Sequence, residues 1–152
     1  MMKICAFRKR GSSPLIMMLS CVVGMNISLA LHQPAAGDNF AKAEQALQQG
    51  DFQQALSIWI PLAQAGDTES QDRSGFLYKN GQGTQIDGSK AAYWFGKAAK
   101  NGHVGAQNMM GLLHYSGVGV PQSFEKAARF YLSAAEAGYR ESQYMLAGLY
   151  RQ

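Results

Sequence analysis

The residues with the clearest chemical pattern are Ser123 and Lys126, which form a Ser-x-x-Lys motif. In serine enzymes that react with β-lactams and cell-wall peptides, a serine in this motif is the nucleophile and a lysine lies close to it. That chemistry also uses Ser-Asp-Asn and Lys-Thr-Gly motifs, and neither occurs in this sequence. A helix start explains both residues as well, since serine is a good N-cap and Lys126 has the same position as Lys90 in a 36-residue period. We therefore predict no catalytic residues and no enzyme, with a cell-wall or β-lactam-related hydrolase that uses Ser123 and Lys126 as the alternative.

The histidines and the paired glycines suggest no metal or cofactor site. His32, His103 and His114 lack a paired spacing such as His-x-x-x-His, so we expect structural roles for them. The segments Gly81-Gln-Gly83 and Gly117-Val-Gly119 lack the third glycine and the preceding strand of a dinucleotide-binding loop. They are typical of turns that need positive φ. The sequence therefore predicts no cofactor and no metal ligand.

The net charge of +4 comes from the N-terminal end of the chain. Lys3, Arg8, Lys9 and Arg10 precede an apolar stretch, whereas the ten basic and ten acidic residues after residue 30 balance. A neutral body lacks the basic face that phosphate binding needs, so we predict no nucleic-acid partner.

A basic start, an apolar stretch and the small residues of Ser28-Leu-Ala30 together predict a Sec-type signal peptide over residues 1–30. We expect a periplasmic or secreted protein of a Gram-negative bacterium. The alternative is a retained membrane anchor through residues 15–31, and we expect no other membrane contact. Both cysteines, Cys5 and Cys21, fall within the signal segment, so the mature chain would have no thiol.

A period of 36 residues organises the remainder of the chain. Good N-cap residues recur at this spacing as Asp51, Asp87 and Ser123, small and aromatic residues recur likewise, and no strand-like alternation occurs. After a linker at 31–38 and a helix at 39–49, we predict a partial unit at 51–65, units at 68–101 and 104–137, and a final helix at 140–151. The positions that define the repeat are Gly66, Gly75, Trp94, Gly102, Gly111, Phe130 and Gly138. We expect Trp94 to be largely buried.

The segments 106–120 and 125–139 resemble the Sel1-like repeat, a relative of the tetratricopeptide repeat, in residue type, spacing and turn chemistry. This resemblance covers about two-thirds of the chain, from about Asp51 onward. It implies an all-α, right-handed solenoid of antiparallel helix pairs with a concave side formed by the first helix of each unit. Ser74 stands where the family usually has leucine and Ala147 where it has glycine, so the first full unit is expected to pack less tightly than the second.

The resemblance implies a non-enzymatic protein-interaction module that presents its concave surface to a protein or peptide partner. Some cysteine-rich relatives have been linked to penicillin-related activity, which is why the hydrolase stays as an alternative. An inhibitor or immunity-like partner of a secreted factor is a further alternative. By resemblance to tetratricopeptide arrays, the partner-binding positions would be Asp72, Asn108 and Tyr144 at one phase of the repeat and Lys79, Tyr115 and Arg151 at another.

Overall fold

The computed structural model describes residues 36–151, and every regular element in that part is an α-helix. The predicted signal peptide and residues 31–35 of the predicted linker lie outside the described residues. None of the helices in the described part is long and apolar enough to span a lipid bilayer. The helices are α1 (Ala36–Gln48), α2 (Phe52–Gln64), α3 (Thr68–Asn80), α4 (Gly88–Lys100), α5 (Val104–Ser116), α6 (Phe124–Glu136) and α7 (Arg140–Leu149).

Each helix packs against the helices that precede and follow it, which is the architecture of a solenoid. The first helix begins at Ala36, three residues before the predicted start at 39, and the last helix ends at Leu149. The predicted all-α solenoid of helix pairs is confirmed.

The second helix of each pair begins where the sequence places an N-cap. The carboxylates of Asp51 and Asp87 accept hydrogen bonds from the backbone N–H of Gln54 and Lys90, at 3.0 and 2.9 Å. The hydroxyl of Ser123 accepts the equivalent bond at the start of α6. The bond from the Lys90 N–H also lowers the pKa of Asp87, because it stabilises the charged carboxylate. These caps recur every 36 residues because each satisfies backbone donors that a helix start leaves unpaired.

Within each full unit, a glycine on the first helix receives an aromatic ring from the second. A Cβ at Gly75 would lie 2.9 Å from the ring of Phe95, and one at Gly111 would lie 2.7 Å from the ring of Tyr131. Phe95 and Tyr131 are each 1% exposed. Glycine therefore allows the two helices to approach closely enough to exclude water from the ring. For Tyr131, this burial raises the pKa of the phenol to about 12.

The paired glycines between the helices of a unit have two different roles. Gly81 and Gly117 end α3 and α5 in the left-handed conformation, at φ 67° and 75°, as the sequence predicts. Gly83 and Gly119 also have positive φ, but each additionally packs against the start of the second helix of the preceding unit. A Cβ at Gly119 would lie 2.0 Å from the backbone carbonyl of Gly88. The second glycine of each pair is therefore a contact between units.

Candidate functional site

The first helices α3, α5 and α7 present equivalent residues at three positions separated by four and three residues. Residues at this spacing lie on one side of a helix. We call this set of positions the first-helix face; its members are Asp72, Phe76, Lys79, Asn108, Leu112, Tyr115, Tyr144, Gly148 and Arg151. It contains all six predicted partner-binding residues.

Three of those six residues line one groove between α5 and α7. Tyr115 comes from α5, and Tyr144 and Arg151 come from α7 and the residues just after it. The groove has a volume of about 230 Å³, and its remaining wall is formed by Met145, Ala147, Gly148 and Leu149. Tyr144 is 80% exposed, so its ring is free to contact another molecule. The groove therefore combines two phenols and a guanidinium with an apolar wall, which are the residue types enriched in the contact regions of protein interfaces.

Neighbouring residues hold Tyr115 in position at the edge of this groove. Its ring meets that of Phe124 edge to face, with centroids 5.5 Å apart. Its carbonyl oxygen accepts a hydrogen bond from the Gln122 side chain at 2.9 Å. The ring contact restrains the side chain and the hydrogen bond restrains the backbone, so Tyr115 loses less conformational freedom when a partner binds and more of the contact energy contributes to affinity.

Asn108 does not face a ligand. Its side chain is buried, and its Oδ1 accepts a hydrogen bond of 2.8 Å from the hydroxyl of Ser142, which is also buried. The bond joins α5 to α7, because the two residues belong to consecutive units. The predicted partner-binding role of Asn108 is therefore corrected to a structural one.

Asp72 and Lys79 lie on α3, apart from the groove between α5 and α7. Asp72 is half-buried, and one of its carboxylate oxygens lies 3.4 Å from Nδ1 of His103. Burial raises the pKa of Asp72, although the nearby His103 acts in the opposite direction. Lys79 lies in the last turn of α3 and is half-buried.

Phe76 was not among the predicted site residues, although it occupies the same face. Its side chain is 45% exposed and borders a small cavity of about 100 Å³ with Leu47, Trp59, Asp72 and Arg73. The 36-residue period could have identified Phe76 as part of this face, because Phe76 lies 36 residues before Leu112 and one helical turn after Asp72.

The Ser-x-x-Lys motif has a structural role at the start of α6. The Ser123 hydroxyl accepts a hydrogen bond from the backbone N–H of Lys126 at 3.3 Å, which is the N-cap bond predicted from the sequence. The Lys126 side chain is exposed and borders a second groove together with Lys100 and Arg129. A nucleophilic serine would need a buried lysine as its neighbour, so this geometry favours capping over catalysis.

The sequence matches the family model of the Sel1 repeat twice, over residues 68–103 and 104–139. No curated protein matches the chain significantly. Sel1 repeats generally act as protein–protein interaction modules, and their fold is typically a non-enzymatic scaffold.

Solved structures of Sel1-type proteins share the fold. A Sel1 repeat protein from Oxalobacter formigenes is 24% identical at a TM-score of 0.68, covering 72% of this chain and 45% of its own. A protective antigen of uropathogenic Escherichia coli with an SLR fold is 25% identical at a TM-score of 0.73, with 76% and 26% covered. Cysteine rich protein B of Helicobacter pylori is 21% identical at a TM-score of 0.58, with 62% and 71% covered. The chain thus spans less than half the length of the first two.

The two family matches therefore coincide with two of the three helix pairs in the described residues, α3 with α4 and α5 with α6. The caps, the glycine–aromatic contacts and the turns recur with the same period. Residues 68–139 of this chain therefore form two Sel1 repeats.

Proposed function

We propose that this chain is an exported, non-enzymatic interaction module that binds a protein or peptide through the first-helix face. The observation that carries the proposal is the groove in which Tyr115, Tyr144 and Arg151 come together. This groove is suited to a partner segment that carries an apolar or aromatic side chain and an acidic group. The apolar wall would take the side chain, and the guanidinium of Arg151 would pair with the carboxylate.

Replacing Tyr144 and Arg151 together with alanine is expected to weaken partner binding at least about tenfold, because tyrosine and arginine often dominate the energy of protein interfaces. The matched control is Tyr93→Ala, since Tyr93 is also exposed, at 55%, but lies on the second helix α4. Each variant is expressed as the full chain, and co-purified proteins are captured and quantified by mass spectrometry. Equal recovery of the same partner with the double variant and the wild type would contradict the proposed groove.

A photo-crosslinker placed at a single position gives a more direct measurement of the same contact. A benzoylphenylalanine at position 144 is expected to crosslink the partner in living cells, whereas one at position 93 is expected to give no crosslink to the partner. Crosslinking from position 93 alone would place the interaction on the second helices and reject the first-helix face.

Export is supported by the basic and apolar start of the sequence. We expect the protein to be recovered from the periplasm or the medium of a Gram-negative host, with Leu31 as its first residue. N-terminal sequencing of the purified protein measures this directly. A chain that keeps residues 1–30 and remains in the membrane fraction would instead support the membrane anchor.

A further inference from the structure

A cluster of three potential metal ligands lies where α3 meets the start of α5. Glu69 and Asp72 are in the first two turns of α3, and His103 is the residue before α5. Each of the three offers one ligand atom, and these atoms lie within 4.8 Å of one another. The imidazole lies between the two carboxylates, with Nε2 3.3 Å from an oxygen of Glu69 and Nδ1 3.4 Å from an oxygen of Asp72.

The 3.3 Å between His103 Nε2 and the Glu69 oxygen matches the distance between two ligands of a single transition-metal ion. Zinc binds nitrogen and oxygen ligands at about 2.0–2.2 Å, so two neighbouring ligands of a tetrahedral ion lie about 3.3–3.6 Å apart. The charge of the surroundings is also suitable. Arg73 forms ion pairs with Glu44 and Glu69. Together with Asp72, these residues place three carboxylates and one guanidinium around the position. The excess of negative charge favours a dication at this position.

Comparison of the repeat units shows that the next junction of the array forms without such a cluster. The equivalent positions in the next unit, 36 residues later, are Gly105, Asn108 and Tyr139, none of which is a charged ligand. The cap formed by His103 also has no counterpart there, because Tyr139 begins α7 without a side-chain cap. Three potential ligands therefore meet at one junction between units and not at the next.

We propose that Glu69, Asp72 and His103 form a binding site for a divalent transition-metal ion of the Zn²⁺ type. His103 Nε2 and the Glu69 carboxylate bind the ion directly, and water completes its coordination. In the metal-bound form, Nδ1 carries the ring proton and donates a hydrogen bond to Asp72, which orients the imidazole as carboxylates do in many metal sites. Mixed imidazole and carboxylate ligands suit Zn²⁺ among the available divalent metals.

Metal binding and helix capping need different tautomers of the His103 imidazole. In the structure, Nδ1 of His103 accepts the backbone N–H of Ala106 at 3.1 Å, which leaves the ring proton on Nε2. Coordination through Nε2 moves that proton to Nδ1, so the Ala106 N–H loses its acceptor. The ion replaces this local cap with a link between α3 and the start of α5.

The test is a calorimetric titration of the full chain with Zn²⁺ alone, after alkylation of its thiols. We expect His103→Asn to bind one ion fewer than the wild type, because asparagine keeps a helix cap but removes the imidazole. Glu69→Gln and Asp72→Asn are each expected to weaken binding at least about tenfold. The matched control is Glu141→Gln, since Glu141 has the repeat position of Glu69 in the last unit.

Circular dichroism of each variant establishes that its helices are intact before the titrations are compared. Identical isotherms for the wild type, His103→Asn and Glu69→Gln would overturn the proposal, as would a wild-type chain that takes up no Zn²⁺. Failure of the metal site leaves the partner-binding groove unaffected, because the two experiments change different residues.

Discussion

Gly119→Ala is expected to destabilise the array by about 3 kcal/mol or more, which is one of the two largest effects of a single substitution that the structure predicts. The φ of Gly119 is 73°, a conformation that costs an L-residue about 1–2 kcal/mol. The added methyl group would also lie 2.0 Å from the backbone carbonyl of Gly88. Backbone atoms cannot rotate away as a flexible side chain can, so the two units must move apart.

Gly102→Ala separates these two contributions. Gly102 also has a positive φ, 86°, but a Cβ at that position would have no atom within 4 Å. We therefore expect only the conformational cost, about 1–2 kcal/mol. The free energies of unfolding are measured by urea denaturation followed by circular dichroism. Equal losses for the two variants would mean that the contact between units at Gly119 is absent.

The Gly119 contact also explains how the turns contribute to function. The loop after α5 rests on the start of α4, and Gly83 makes the same contact with the start of α2 in the preceding unit. This repeated contact fixes each first helix relative to the unit before it. The first-helix face depends on that placement, because the groove needs Tyr115 and Tyr144 from different units to lie side by side.

Features that depend on a few neighbouring residues were predictable from the sequence. The N-caps at Asp51, Asp87 and Ser123 were correct because a cap bond joins residues three positions apart. The repeat glycines Gly66, Gly102 and Gly138 are equally local: each has a positive φ, and a Cβ there would have no atom within 4 Å. Local chemistry that recurs every 36 residues therefore predicted the helices, their ends and the type of fold.

Features that form between units were not predictable from the period. Asn108 occupies a position expected to face a ligand, yet its partner Ser142 comes from the next unit and buries it. His103 was expected to have a structural role, and its cap fits that role, but its two carboxylate neighbours lie more than thirty residues earlier. Their proximity depends on how closely adjacent units stack, which residue spacing within one unit does not specify.

Trp94→Ala is expected to reduce the free energy of unfolding by about 3–5 kcal/mol, the usual cost of removing a buried large aromatic side chain. Trp94 is 6% exposed, as predicted from its place in the repeat. Its ring lies 4.9 Å from that of Tyr93 and also contacts the ammonium group of Lys97. Alanine would lose these contacts and leave a cavity that the surrounding helices fill only in part.

Tyr93→Ala is the matched control for this substitution, because it removes a neighbouring aromatic ring that is 55% exposed. We expect it to cost about 1 kcal/mol, mainly through loss of the edge-to-face contact with Trp94. Urea denaturation of both variants gives the comparison directly. A loss below about 0.5 kcal/mol for Trp94→Ala would contradict the burial of this ring. The assignment of the inward side of α4 would then be wrong, and with it the division of the array into a buried face and an exposed face.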